Sequence, residues 1–167
     1  MTAKARSDFS PGTLLDRLRE AGVEYVVIGG LAAVFHGASH VTGDLDVCYN
    51  RDRENLRRLS RALQPLSPRL RGAPPDLPFK LDERTLRAGL NFTLTTDAGD
   101  LDLIGEVSGI GHYEQVLSYS ERVEVGGETV RILSLEGLIL SKRAAGREKD
   151  RILLRELEII RRLRSAE

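Results

Sequence analysis

Residues 25–49 read YVVIGGLAAVFHGASHVTGDLDVCY, and this stretch decides the fold. Tyr25-Val26-Val27-Ile28 is a short apolar run rich in β-branched residues that ends at Gly29-Gly30, which predicts a buried strand. Leu31 to Phe35 then suits a short helix starting at the glycine pair. Leu45 to Tyr49 reads as a second strand, entered through Asp44. Side chains alternate along a strand, so Asp44 and Asp46 share one face while Leu45 and Val47 point into the core. Cys48 falls on the Asp face by the same parity, and nothing nearby activates its thiol. Two neighbouring carboxylates repel each other unless a cation lies between them. Paired oxygen donors are what hard Mg²⁺ or Mn²⁺ takes. An isolated Asp-x-Asp also fits a solvated strand face beginning at a turn, and a lone Gly-Gly also fits a simple tight turn, so the rest of the chain must decide.

Working outward, the polar segment Met1 to Pro11 has no apolar core of a signal peptide, which predicts no secretory signal. Leu14, Leu15, Leu18 and Ala21 recur at helical spacing, with Gly22 as the cap. Beyond the second strand, Asn50-Arg51-Asp52 offers a helix start, and Leu56, Leu59 and Leu63 line one face of a helix running to about Ala62. Pro65 to Pro78 holds five of the six prolines and reads as a loop, either an active-site flap or a surface connection. Leu90, Phe92 and Leu94 alternate with polar residues, Asp97-Ala98-Gly99 turns, and Leu101-Asp102-Leu103 returns as a hairpin partner. Asp100 and Asp102 share a face, and Asp102, with apolar neighbours on both sides, sits more clearly inside the strand. Val123 and Val125, then Val130 and Ile132, flank Gly126-Gly127 as a second hairpin. Leu135 to Ala145 is helical, broken near Gly146. Ile152, Leu153, Leu157, Ile160 and Leu163 form a broad apolar face on a terminal helix. The order predicts an α/β (α+β) architecture, a mixed β-sheet with helices packed against it.

The 167 residues favour a single domain, residues 1–167, with enough chain to bury a core. Lys+Arg and Asp+Glu are each 25, so the formal net charge is zero, which argues against bulk polyanion binding by overall basicity. Apolar residues make up 41%, charged residues 30%, and the mean hydropathy is −0.24, the composition of a globular domain. No apolar run approaches the roughly 20 residues of a membrane helix. One cysteine forms no disulfide framework, and a reducing cytoplasm is the expected compartment. Zero net charge hides segregation. Arg51–Gly72 carries seven arginines against two acids, residues 96–128 eight acids against one base, and residues 142–167 nine bases against five acids. Such blocks are solvated helix faces or the rims of a binding site. Neither a phosphate-binding Gly-x-x-x-x-Gly-Lys-Ser/Thr loop nor a Gly-x-Gly-x-x-Gly turn is present, and the scattered histidines and single cysteine give no zinc spacing.

Taken together, the apolar strand, Gly29-Gly30, the short helix, Asp44-Leu45-Asp46-Val47 and a later strand carboxylate resemble the nucleotidyltransferase superfamily related to DNA polymerase β. The closer resemblance is to small bacterial nucleotidyltransferases, including the abortive-infection toxin type. Ile28-Gly29-Gly30-Leu31-Ala32, His36-Gly37 and Thr42-Gly43-Asp44-Leu45-Asp46 carry it, and Leu138 to Asp150 resembles the Lys-rich helix start of those proteins. It spans about Tyr25 to Asp150. One departure is His40, which stands where such proteins often carry Arg. A neutral imidazole holds phosphate less firmly than a guanidinium.

The resemblance implies a nucleotidyltransferase fold and transfer of an NMP from an NTP, ATP among them, to an acceptor hydroxyl with release of pyrophosphate. The acceptor is a protein, a tRNA or a small molecule. It implies Mg²⁺ (or Mn²⁺) as cofactor, with Asp44, Asp46 and Asp102 as catalytic and metal-ligating residues, and Gly29, Gly30, Thr42 and Lys142 as nucleotide-binding residues. Arg143, Arg147 and Lys149 are further candidates for the triphosphate, and Lys80, Arg84 and Arg87 weaker ones. His36 reads as a packing histidine and His112 carries no argument of its own. A homodimer or a helical partner protein would complete so small a site, and no membrane is involved. The alternative reading is a weak or inactive protein of the same fold acting as a toxin–antitoxin component or nucleotide-binding module.

Overall fold

The computed structural model describes residues 8–167, so the first seven residues of the polar amino-terminal segment lie outside the described residues. The helix α1 (Pro11–Glu20) buries Leu14, Leu15 and Leu18 on one face, with Gly22 just past its end. Strand β1 (Tyr25–Ile28) runs directly into α2 (Gly29–Phe35). Strand β2 (Asp44–Tyr49) follows, then α3 (Arg53–Leu63), which buries Leu56, Leu59 and Leu63 as the spacing predicts.

The Pro65–Pro78 stretch is more structured than a plain loop. A 3₁₀ turn, Gln64–Leu66, opens it, and Arg69–Leu70 forms a two-residue edge strand, β3. β3 pairs antiparallel with β4 (Phe92–Thr96), with Leu70 opposite Leu94. A six-residue helix, α4 (Glu83–Ala88), starts where the Asp82 carboxylate accepts a hydrogen bond from the Thr85 N–H. β4 turns into β5 (Gly99–Ile104) as the expected hairpin. A second small ladder, β6 (Glu106–Val107) with β7 (Gly111–His112), leads into α5 (Tyr113–Ser118). The hairpin of β8 (Ser120–Val125) and β9 (Glu128–Leu133) is the one read from the alternating valines. Helices α6 (Leu135–Ala145) and α7 (Glu148–Ser165) close the chain. Gly146 between them has φ +62°, the left-handed conformation that ends a helix at low cost.

Seven strands form one mixed sheet in the order β3-β4-β5-β2-β1-β9-β8. Its centre decides the site. β1 runs antiparallel to β2, with Ile28 opposite Asp46, and β2 runs parallel to β5. The parallel register sets Asp44 beside Asp100 and Asp46 beside Asp102. The core is continuous across the sheet, and Val26, Val27, Leu45, Val47, Leu101, Leu103 and Ile132 are all buried. The terminal helix departs from the sequence expectation. Leu153 and Leu157 are buried and Ile160 is packed against the core, but Ile152 is 74% and Leu163 64% exposed. α7 packs mainly on α6, so only part of its apolar face meets a neighbour.

Candidate active site

Strand pleating and register bring three carboxylates from two strands to one point. Asp44, Asp46 and Asp102 each offer an oxygen, and these lie within 4.8 Å of one another. Asp44 and Asp46 come from β2 by period-two alternation, and Asp102 comes from β5 by parallel pairing. Asp100 is on the same face but does not join them. Its carboxylate accepts from the Thr95 hydroxyl at 3.0 Å and lies 3.3 Å from Arg71 Nε.

The cluster is electrostatically strained. Burial, then the neighbouring Asp44, then Asp102 push the Asp46 carboxyl up to about 8, while Lys142 pulls it down. Asp44 is also raised, first by burial and next by Asp102. Carboxylates gathered this way hold a proton or call for a cation.

Gly29 sits against this cluster for a steric reason. It has φ +68°, and a Cβ there would collide with the Asp46 carboxylate. β1 therefore ends where only glycine fits, and α2 begins without a side-chain cap on its first N–H groups. A Cβ on Gly30 would meet the His40 ring at 2.8 Å and the Thr42 hydroxyl at 3.3 Å. Thr42 itself donates to the Asp44 carbonyl at 2.8 Å and fastens the turn into β2. His40 thus lies over Gly30.

A cleft of about 840 Å³ opens over these residues. One wall is the glycine pair with His40, Thr42, Asp44, Asp46 and Asp102, and the other is basic, from Lys142, Arg147 and Lys149. The basic wall has a support that the sequence pattern did not reveal. Asp150, 2% exposed, accepts from Lys142 Nζ at 3.1 Å and from Arg147 Nε at 2.7 Å. Its only sequence sign was its place, with Glu148, in the first turn of the helix. Arg143 does not reach the cleft and pairs with Glu158 at 2.8 Å. Neither Lys80, Arg84 nor Arg87 lines it, and Arg87 pairs with Glu83. His36 is buried with Nε2 2.9 Å from the Leu133 carbonyl, and Cys48 is buried in the core. His112 lies at the start of α5, its Nδ1 3.3 Å from the Gly105 carbonyl.

Arg71 is a second residue that local pattern missed. It follows the edge strand β3, and its Nη2 donates to Asp102 Oδ1 at 2.8 Å. Most other arginines of residues 51–72 pair within the chain at its surface. Arg53 and Arg57 hold Glu83, Arg58 pairs with Glu54, Arg69 with Asp97, and Arg51 donates to the Tyr49 hydroxyl.

Residues 90–165 match the model of a family described as "Nucleotidyl transferase of unknown function". That segment includes Asp102, Lys142 and Asp150; the glycine pair, Asp44 and Asp46 lie upstream. No curated protein matches the sequence. Among solved structures, the chain is similar to the lincosamide antibiotic adenylyltransferase LnuA, lincomycin-bound, at 16% identity and TM-score 0.59, over 92% of this chain and 99% of that one. It is similar to a nucleotidyltransferase of Thermotoga maritima, whose function is named only by that class, at 19% identity and TM-score 0.56, over 92% and 97%. The solution structure of the antibiotic-resistance factor ANT(2'')-Ia aligns at 14% identity and TM-score 0.55, over 93% and 89%.

Proposed function

We propose, from the premise that the chain is a small protein of nucleotidyltransferase fold, that it transfers an NMP from an NTP to a small-molecule hydroxyl with the help of divalent cations. The observation that carries this reading is the meeting of Asp44, Asp46 and Asp102 beside a glycine pair, with the bare Cα of Gly29 against Asp46. The donor set is hard and all-oxygen, which fits Mg²⁺ or Mn²⁺. Asp44, Asp46 and Asp102 would hold the ions, which supply charge stabilisation to the attacking and leaving oxygens of an in-line displacement.

The chain's own groups divide the remaining work. The N–H groups of Gly29 and Gly30, at an uncapped helix start, receive phosphate oxygens. Thr42 keeps the Asp44 turn in place. Lys142 and Arg147, clamped by Asp150, offset the triphosphate charge. The acceptor oxygen bonds to the α-phosphorus, the bond to the bridging oxygen breaks, pyrophosphate leaves, and Asp102 receives the acceptor's proton. A small-molecule acceptor is the class this reading takes, with tRNA as the competing outcome of the test. The names of LnuA and ANT(2'')-Ia support the same class. His40, exposed beside Gly30, is close enough to the glycine pair to join in holding a phosphate, where the resemblance leads one to expect Arg. The single domain of residues 1–167 is part of this proposal, as is the intracellular compartment where NTP is available. Among the described residues no helix is long and apolar enough to cross a membrane.

Incubation with each α-labelled NTP, Mg²⁺ or Mn²⁺ and panels of small-molecule, tRNA and protein acceptors tests the reading. Metal-dependent label on a small molecule, lost with Asp44→Ala, Asp46→Ala, is expected. Label on tRNA or protein would move the acceptor class, and label that persists in the double variant would refute the site.

A further inference from the structure

The proline-rich connection between α3 and α4 sends one side chain into the acidic centre. The Arg71 N–H donates to the Thr93 carbonyl at 2.9 Å, which extends the edge pairing of β3 by one residue. Its Nη2 is shared between the Leu94 carbonyl at 2.7 Å and Asp102 Oδ1 at 2.8 Å. Its Nε is buried and makes no hydrogen bond, with the Asp100 carboxylate 3.3 Å away as its ionic neighbour. The guanidinium is therefore anchored on the main chain of β4 and held between two carboxylates of β5. Arg71 and Asp102 are both mostly shielded, their side chains 29% and 20% exposed.

A guanidinium does not give up its proton in proteins, so this charge leaves the site only if the side chain moves. A carboxylate oxygen engaged in a charge-assisted hydrogen bond has less to give to another cation. The fixed positive charge also repels any divalent ion placed against the other oxygen. Resting on the reading of the cluster as a divalent-cation centre, we propose that Arg71 is a positioning residue that acts as the internal counter-cation of Asp102. It takes one oxygen of the third carboxylate and keeps the centre's affinity for free divalent ions low. Full loading then depends on the phosphates of the bound nucleotide as added ligands. Asp100 gains a role in the same arrangement, as the second anchor of Arg71 and not as a member of the cluster.

The test is a Mn²⁺ titration of the nucleotide-free full-length chain, with free Mn²⁺ read by electron paramagnetic resonance. Arg71→Gln and Arg71→Met are expected to bind Mn²⁺ about tenfold more tightly than the wild type, while Arg71→Lys, which keeps the charge, stays within about threefold. Two neutral variants of similar length guard against one failing to fold, checked by circular dichroism. Unchanged or weaker binding in the neutral variants would overturn the proposal, and weakening in all three would make Arg71 a scaffold for Asp102. If neither the wild type nor the neutral Arg71 variants take up Mn²⁺ that Asp44→Asn, Asp46→Asn removes, the metal reading and this inference both fall. A wild type that binds while the Arg71 variants match it sinks the inference alone.

Discussion

At the scale of the residue, Asp46 bears the heaviest electrostatic load in the described chain. Its carboxyl binds a proton more tightly in the folded state than in the unfolded chain, where 3.8 is the ordinary value. Between that value and about 8 the folded state therefore holds more protons than the unfolded state, and the free energy of unfolding falls as the pH rises. Below the window both states are protonated and the penalty vanishes; above it the penalty is present in full. In metal-free buffer, Tm is expected to decline from pH 5 to pH 8, and Asp46→Asn to flatten that decline and raise Tm at pH 8. Equal slopes for the two proteins, measured by calorimetry, would contradict the burial of a strained carboxylate here. Asp44, Asp46 and the glycine pair were legible in sequence because strand parity and the strand–glycine–helix order are local signals. Parity left Asp100 and Asp102 on one face; the apolar neighbours of Asp102 pointed to it, and the register that sets it beside Asp46 brings it into the cluster. Arg71 lies 31 residues from Asp102, and no local period reports a contact made across that distance.

At the scale of the element, the sheet's centre and the α6–α7 hinge do different jobs. β2 and β5 fix the acids on rigid neighbouring strands, whereas the basic wall depends on a side-chain clamp across the break at Gly146. Lys142 and Arg147 meet on the nearly fully buried Asp150. Asp150→Ala leaves two cations without their partner and is expected to cost about 2 kcal/mol, discounted because Arg147 is 58% exposed. Denaturant unfolding measures that cost, and a weakened NTP KM should accompany it; a loss under about 0.5 kcal/mol would remove the clamp from the account. Elements with an apolar pattern of their own were readable: α1, β1, α3, both hairpins, α6 and α7 all follow apolar spacing, β1 being short but fully apolar after Tyr25. The short ones were not. α4 buries only Leu86, and α5 only Val116, so neither has a stripe to detect. β3 is two residues beside prolines and exists because β4 offers it an edge.

At the scale of the whole molecule, the segregation of charge along a chain of zero net charge resolves into pairs across the fold. The arginines of residues 51–72 meet Glu54, Glu83, Asp97, Asp100 and Asp102, so most of the block is the solvated helix face its charge run predicts, laced by surface ion pairs, and Arg71 turns inward. The terminal helix shows the limit of periodicity from the other side. A helix pattern tells which residues share a face, but not how much of that face meets a neighbour. Leu157→Ala, at a fully buried position, is expected to cost about 2–5 kcal/mol. Ile152→Ala, on the exposed part of the same helix, should stay within about 0.5 kcal/mol, and comparable losses at both sites would show the face to be covered. If the acidic cluster and the glycine pair form one metal-dependent nucleotide site, NTP binding depends on both the metal and the acids. Equilibrium dialysis of α-labelled NTP against the intact chain tests it most directly, because it needs no acceptor. Binding that requires Mg²⁺ or Mn²⁺ and disappears in Asp44→Asn, Asp46→Asn is the expected result; binding indifferent to metal and to both substitutions, or no binding at all, would contradict it.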